Sequence, residues 1–308
     1  MIAMVVTRLR VVAAPGIAAM ALGFSAVATG QAPVGFEAAF RDKTMRVDYI
    51  HSGGPGQEVI ALDQIVSDGP WGGSRTRLVD DLNLGKYRFE VIDRRTNRVL
   101  YSRGFASIYG EWETTAEARD IFRSFHESLR FPWPNAPVQV VLKVRDAENS
   151  FHEIWSTVID PDSRFVNAID REPTGEVWTV FENGPSSEKV DLLVIGEGYT
   201  EAELPKFHAD ATRLVNALFE EEPFRSRKED FNVWGLDLPS AESGVSRPRA
   251  GEFRRTPLSA EYNIFDSERY VLTYDNRALR DAASAAPYEF IEILVNEEQY
   301  GGGGIFNF

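Results

Sequence analysis

The sequence predicts a two-part α+β and α/β chain: an antiparallel β-sandwich-like domain over residues 31–160, then an incomplete, mainly parallel α/β domain over 188–308. Three observations predict it. Apolar residues alternate with polar ones through most of the first part, the mark of strands with one wet face. Beyond residue 188 the apolar runs become short, unbroken and β-branched, suited to strands covered on both faces. Between them, residues 161–187 are a changeover, opened by Asp160-Pro-Asp162 and closed by the turn formers Asn183-Gly-Pro-Ser-Ser187.

In the first part, Met45, Val47 and Tyr49 alternate with polar neighbours, as do Tyr87, Phe89 and Val91. Val138, Val140, Leu142 and Val144 form a third strand, and Asp146 to Asn149 turns it into Phe151–Ile159 as an antiparallel hairpin. One covering helix is predicted between these strands. Thr114-Thr-Ala-Glu117 reads as its capping box, Ala118, Ile121, Phe122, Phe125 and Leu129 as its buried stripe, and Pro132, Pro134 and Pro137 as its stop.

In the second part, Val190–Ile195 reads as a buried strand, and Gly196-Glu-Gly198 lets the chain leave the sheet sharply. Leu204, Phe207, Ala211, Leu214, Val215 and Leu218 then line one face of a helix, with Thr200 and Glu203 as its capping box. Phe231–Leu236 and Phe290–Val295 are two further buried strands, with a helix over about 276–285 between them. That succession implies parallel pairing through crossovers. The four glycines Gly301–Gly304 and Ile305-Phe-Asn-Phe308 follow with no terminating element, so the chain is expected to be the front part of a larger enzyme. An incomplete sheet would leave an apolar edge prone to association.

The chain has 308 residues, 33 basic and 47 acidic side chains and a net charge of -14, which argues against a nucleic-acid partner. Arg8 and Arg10 precede the apolar run Val11–Ala28 and the small residues around Ala26–Gly30. Residues 1–30 are therefore expected to be a cleavable signal peptide and not a stable membrane anchor, giving a secreted or periplasmic protein. The absence of cysteine suits a bacterial exported protein and excludes a thiolate nucleophile or metal site.

Candidate chemistry is sparse. No Gly-x-Ser-x-Gly elbow occurs, Gly196-Glu-Gly198 lacks the third glycine of a dinucleotide loop, and Gly301–Gly304 lacks the Lys-Ser/Thr of a phosphate loop. His126-Glu127 and His152-Glu153 each begin a His-Glu-x-x-His zinc motif, but Arg130 and Ser156 stand where the second histidine belongs. His208 reads as a surface or packing residue, and His51, beside Gly53-Gly54, as a loop residue. Asp237 closes a buried strand, where open α/β sheets gather functional residues, and Glu242 follows in Pro239-Ser-Ala-Glu-Ser-Gly244. Such carboxylates can act as acid and base, or shape the loop. No residue is assigned as catalytic or as a metal ligand.

Val190-Asp-Leu-Leu-Val-Ile-Gly-Glu-Gly-Tyr-Thr200 resembles the opening of the catalytic domain of IgA-peptidase-like secreted bacterial zinc metallopeptidases. Pro223-Phe224, Phe231-Asn-Val233, Pro239–Gly244, Ile293-Leu-Val-Asn296 and Tyr300-Gly-Gly share the resemblance in matching order. Thr44–Tyr49, His51-Ser-Gly53 and Glu111-Trp-Glu-Thr-Thr115 are similar to that family's N-terminal β-domain. The resemblance implies zinc-dependent hydrolysis of a polypeptide substrate, with a metal-bound water of pKa roughly 7 as nucleophile. It implies a substrate-facing surface at Asp237, Ser240, Glu242, Gly301, Gly302, Ile305 and Phe306, with Ile305–Phe308 as an edge strand for extended peptide. The family's His-Glu-x-x-His helix follows the Tyr-Gly-Gly loop and is absent from these 308 residues, so zinc belongs to a complete protein and this chain alone is expected to be inactive. The alternative is a binding module without catalysis, gripping a glycan or surface protein through Trp71-Gly-Gly-Ser74, Tyr109 and Trp112.

Overall fold

A computed structural model describes residues 35–307, so the predicted signal peptide and Phe308 lie outside the described residues. In chain order the elements are α1 (Phe36–Ala39), β1 (Phe40–Gly54), β2 (Gln57–Ser67), β3 (Tyr87–Asp93), β4 (Val99–Phe105), α2 (Ile108–Trp112), β5 (Arg123–Pro134), β6 (Val138–Arg145), β7 (Phe151–Ile159) and β8 (Val166–Asn167). They continue with β9 (Glu176–Phe181), β10 (Val190–Glu197), α3 (Leu204–Leu218), β11 (Phe231–Asp237), α4 (Asn276–Ala283) and β12 (Phe290–Val295). The result is a mixed α/β fold with three four-stranded sheets, ordered β5-β1-β2-β8, β4-β3-β6-β7 and β12-β10-β11-β9. No described helix is long and apolar enough to cross a membrane.

The first two sheets share one core. Met45, Val47 and Tyr49 of β1 and Leu129, Phe131 and Trp133 of β5 pack with Phe89, Val91, Val140 and Leu142 of the second sheet. Phe89 and Phe131 meet between them with ring centroids 6.1 Å apart. The β6–β7 hairpin is antiparallel, as its turn predicts.

The predicted helix over 114–129 is not there. Only a 3₁₀ turn forms at Glu117–Arg119, and residues 123–134 are β5, paired antiparallel to β1 from Arg123 to Pro134. Phe125 and Leu129 lie four apart, a spacing that puts them on one face of a helix and equally on one face of a strand. The long partner β1 decides between the two. Glu117, read as part of a cap, instead accepts hydrogen bonds from the Trp112 indole (2.6 Å) and Arg123 (2.9 Å). Pro132 and Pro134 sit within β5, where they are tolerated because β5 is an edge strand.

The wet face expected of β1 is also buried. Thr44, Arg46 and Asp48 are completely enclosed, because α4 and the segment after it cover that face. Arg46 bonds Asp48 (2.9 Å), Asp68 (2.8 Å) and Asp281 of α4 (2.6 Å). Arg130 bonds Asp68 at 2.7 Å and lies over the Tyr288 ring at 3.5 Å. Such buried charge needs pairing of this kind to be tolerated. The described residues form one compact unit.

In the third sheet β10 runs parallel to both β11 and β12, and β9 closes the other side antiparallel to β11. Leu193 and Ile195 of β10 face Leu279, Ala282 and Ala283 of α4, while Leu192 and Val194 face Phe207, Ala211 and Val215 of α3. Complete burial of Leu193 and Ile195 contributes roughly 1.5–3 kcal/mol per side chain. The expected capping box forms: Glu203 accepts from the Thr200 backbone N–H (2.9 Å) and hydroxyl (2.8 Å).

Candidate functional site

The carboxyl ends of β10, β11 and β12 lie side by side, and the chain leaves each in a loop, the arrangement in which open α/β sheets build sites. At the end of β10, Glu197 is fully buried and accepts hydrogen bonds from the Thr256 hydroxyl, Leu258 N (3.1 Å) and Ala260 N (3.0 Å). Burial raises its pKa against the pull of those three donors. One carboxylate thus pins residues 256–260 to the end of the sheet. Gly198 follows at φ +77°, with the Gly244 carbonyl oxygen 2.6 Å from where a Cβ would stand, so this strand exit admits only glycine.

The loop after β11 is held by the same neighbourhood. Gly244 N donates to Gly198 O (2.9 Å) and Ser240 N to Tyr199 O (2.7 Å). Asn296, just past β12, donates to Gly198 O (3.0 Å) and Ser243 Oγ (3.2 Å) and accepts from Lys206 (2.9 Å). Glu203 accepts from Ser243 at 2.8 Å, and the donors around it, Thr200 N–H foremost, push its pKa down to about 2.

Asp237 is engaged by partners that sequence reading missed. Its carboxylate takes the Trp178 indole N–H at 2.9 Å, and His208 Nε2 lies 2.7 and 2.9 Å from its two oxygens. The His208 ring sits 4.4 Å from that of Trp178. Trp178 lies flat on β11, and a Cβ on Gly235 would stand 2.1 Å from the indole. His208 is therefore a fixed member of a histidine–aspartate–tryptophan group, not a simple packing residue. Its side chain remains 43% exposed, so the pair is reachable from solvent.

Ser240 and Glu242 shape the loop. Ser240 Oγ donates to Glu242 O (2.7 Å) with Arg255 O at 3.2 Å, and Glu242 Oε2 accepts from Arg255 N (2.7 Å). Asp237 and Glu242 share no hydrogen-bond partner. Gly302 N donates to Arg269 O (2.9 Å), and Gly301 lies against Tyr262 and Val271. Ile305 packs against the first core, and Phe306 O accepts from Ala106 N (2.8 Å). The segment 305–307 is a turn docked on the end of β4, not the edge strand expected.

His51 is not a loop residue. It lies within β1, fully buried, between Glu127 (2.8 Å) and Glu58 (2.8 Å), with the Tyr109 ring stacked 3.9 Å away. Trp71, Tyr109 and Trp112 are likewise buried, which removes the aromatic platforms considered for glycan binding.

One group of described residues has metal-ligating atoms close together: Asp48, Asp63 and His126. Its carboxylates are already spent. Asp48 takes Arg46, Gln64 (2.7 Å) and Ser128 (2.6 Å), and Asp63 takes Arg277. A divalent cation there would have to displace two guanidinium groups, so these residues do not fit zinc.

Two family descriptions match the chain. Residues 35–156 match Peptidase M64 N-terminus, and residues 179–308 match IgA Peptidase M64. No curated protein matches it.

Proposed function

Because the chain belongs to the M64 (IgA) peptidase family, we propose that the protein serves in zinc-dependent hydrolysis of polypeptides outside the cytoplasm. The observation that carries this reading is the match of both an N-terminal and a catalytic family segment, in order, along one chain. On this reading residues 35–160 are a β-sandwich accessory domain and residues 188–308 belong to the metallopeptidase domain. The described residues offer no group that fits zinc, so no chemical step is assigned to them. Their part is to shape the ground on which substrate lies: Asp237 at the end of β11, Ser240 and Glu242 on the fixed loop after it, and Gly301, Gly302, Ile305 and Phe306 beyond β12. Export rests on Arg8, Arg10 and the apolar run behind them.

The test uses the gene product at its natural length, purified from the culture medium or periplasm. Metal analysis should find one zinc per chain, and a quenched-fluorescence peptide library should be cleaved. A chelator should stop the cleavage and added zinc restore it. A product holding no zinc and cleaving nothing would overturn the reading.

A further inference from the structure

The loop from Ser246 to Thr256 combines a fixed backbone with unspent side chains. Arg254 N donates to Ser246 Oγ (3.0 Å), Arg255 N to Glu242 Oε2 (2.7 Å), and Arg255 O accepts from Ser240 Oγ (3.2 Å). Arg247 and Glu252 close the loop through their backbones at 2.8 Å. Thr256 then bonds the buried Glu197. The loop is thus anchored both to the end of β10 and to the segment after β11.

Four arginines fall within residues 247–255 against one glutamate, in a chain whose net charge is -14. Two of the four are spent: Arg247 on Glu252 (2.7 Å), and Arg249 on Asp266. The other two are not. Arg254 is exposed with no side-chain partner among the described residues. Arg255 is 85% exposed and has only Glu242, at 3.7 Å. Phe253 beside them is 69% exposed. The fixed backbone leaves only the side chains to be ordered on binding, and each guanidinium fork can meet a carboxylate with two parallel hydrogen bonds, which favours recognition.

We propose that Phe253, Arg254 and Arg255 form a recognition face for an acidic stretch of polypeptide, with carboxylates meeting the two arginines and an apolar side chain covering the ring. This deepens the peptidase reading and rests on it, by giving the substrate an acidic segment beside the Asp237–Glu242 loop. A short peptide suits the face better than a long polyanion, because a strongly acidic protein repels extended phosphate chains.

Binding is measured on the full chain by fluorescence anisotropy, so the outcome does not depend on cleavage. The probes are a fluorescein-labelled dodecapeptide carrying four glutamates and one leucine, its glutamine counterpart, and a twelve-nucleotide single-stranded DNA. The acidic peptide should bind about tenfold tighter than its counterpart at low salt and lose most of that margin near 0.2 M salt. The double variant R254E/R255E should erase the preference, R254K/R255K should keep most of it, and Phe253→Ser should weaken the acidic peptide alone. Of the substituted side chains only Arg255 meets an anchoring residue, Glu242 at 3.7 Å, so thermal stability should change little. Equal binding of the two peptides, an unaltered preference in R254E/R255E, or tighter binding of the DNA would each overturn the proposal. Failure of the peptidase reading would appear separately, as a natural-length product without zinc or cleavage.

Discussion

At the scale of single residues, the polar groups that matter are fixed by neighbours distant in sequence. His51 shows this most clearly. Burial alone would lower its pKa, but its hydrogen bonds to Glu127 and Glu58 outweigh that and raise it, so the protonated ring is favoured between these two side chains. The raised pKa means that His51 adds stability in full below its unfolded pKa of about 6.5 and loses it as pH rises through the folded value. Glu58 has its pKa lowered against the pull of burial by the same contact, so its share is present above its unfolded value and lost as pH falls through the folded one. His51→Leu should therefore cost about 3–5 kcal/mol near pH 6, by leaving two carboxylates without their cation, and less near pH 9. Urea denaturation at the two pH values measures this, and a loss under about 1 kcal/mol at both would refute the buried-cation account. Gly53-Gly54 beside His51 suggests a loop, and nothing local signals Glu127, which lies 76 positions away. Asp237 was legible from its place at a strand end, but its partner His208 stands 29 positions earlier with no spacing rule to join them.

At the scale of elements, local patterns were reliable where packing agreed with them and failed where a distant partner decided. β10, β11, α3 and α4 form where apolar runs and helical spacing place them, because each buries a stripe against its neighbours; β12 also forms, but as the sheet's edge strand none of its residues is fully buried. The Thr200–Glu203 cap is likewise readable, since all its atoms lie within four residues. β5 was misread because a spacing of four serves both periodicities and only pairing with β1 resolves it. The polar residues of β1 were read as wet because burial by α4, more than 200 positions away, leaves no trace in β1 itself. The junction of β9 with β11 is another long-range fit, and it can be tested. Gly235→Ala would drive a methyl into the Trp178 ring, displace the indole from Asp237 and loosen the grip on His208. Overpacking of this kind costs typically 1–3 kcal/mol. Chemical denaturation, with tryptophan emission as a local report, should show both the loss of stability and a more exposed indole; wild-type values for both would mean that β9 does not sit on Gly235 as described.

At the scale of the whole molecule, two features set how the chain behaves in solution. The Arg46–Asp48–Asp68–Asp281 group fastens the first sheet to α4, so unfolding of either side strands buried charge on the other. Opposite that junction the third sheet is less well covered. β12 is its edge strand, with no neighbour on its outer side among the described residues. Between β12 and α3 runs a largely apolar groove of about 250 Å³, lined by Leu192, Val194, Leu214, Leu218 and Leu294 with Glu292 of β12 also in its wall. Leu214 of this lining is 41% exposed. An apolar groove beside an unpaired strand is a template for association, because a second chain can satisfy the free backbone groups and bury the leucines in one step. The protein of residues 35–308 should therefore self-associate at micromolar concentration despite its negative charge, and more so at high salt, where repulsion is screened. Leu214→Glu adds a second charge to the groove at a half-exposed position outside the buried core, and should return the protein to a monomer. Sedimentation velocity over a hundredfold range of concentration distinguishes the outcomes. A wild-type chain that stays monomeric throughout would show that the groove is too shallow, or the edge too twisted, to recruit a partner.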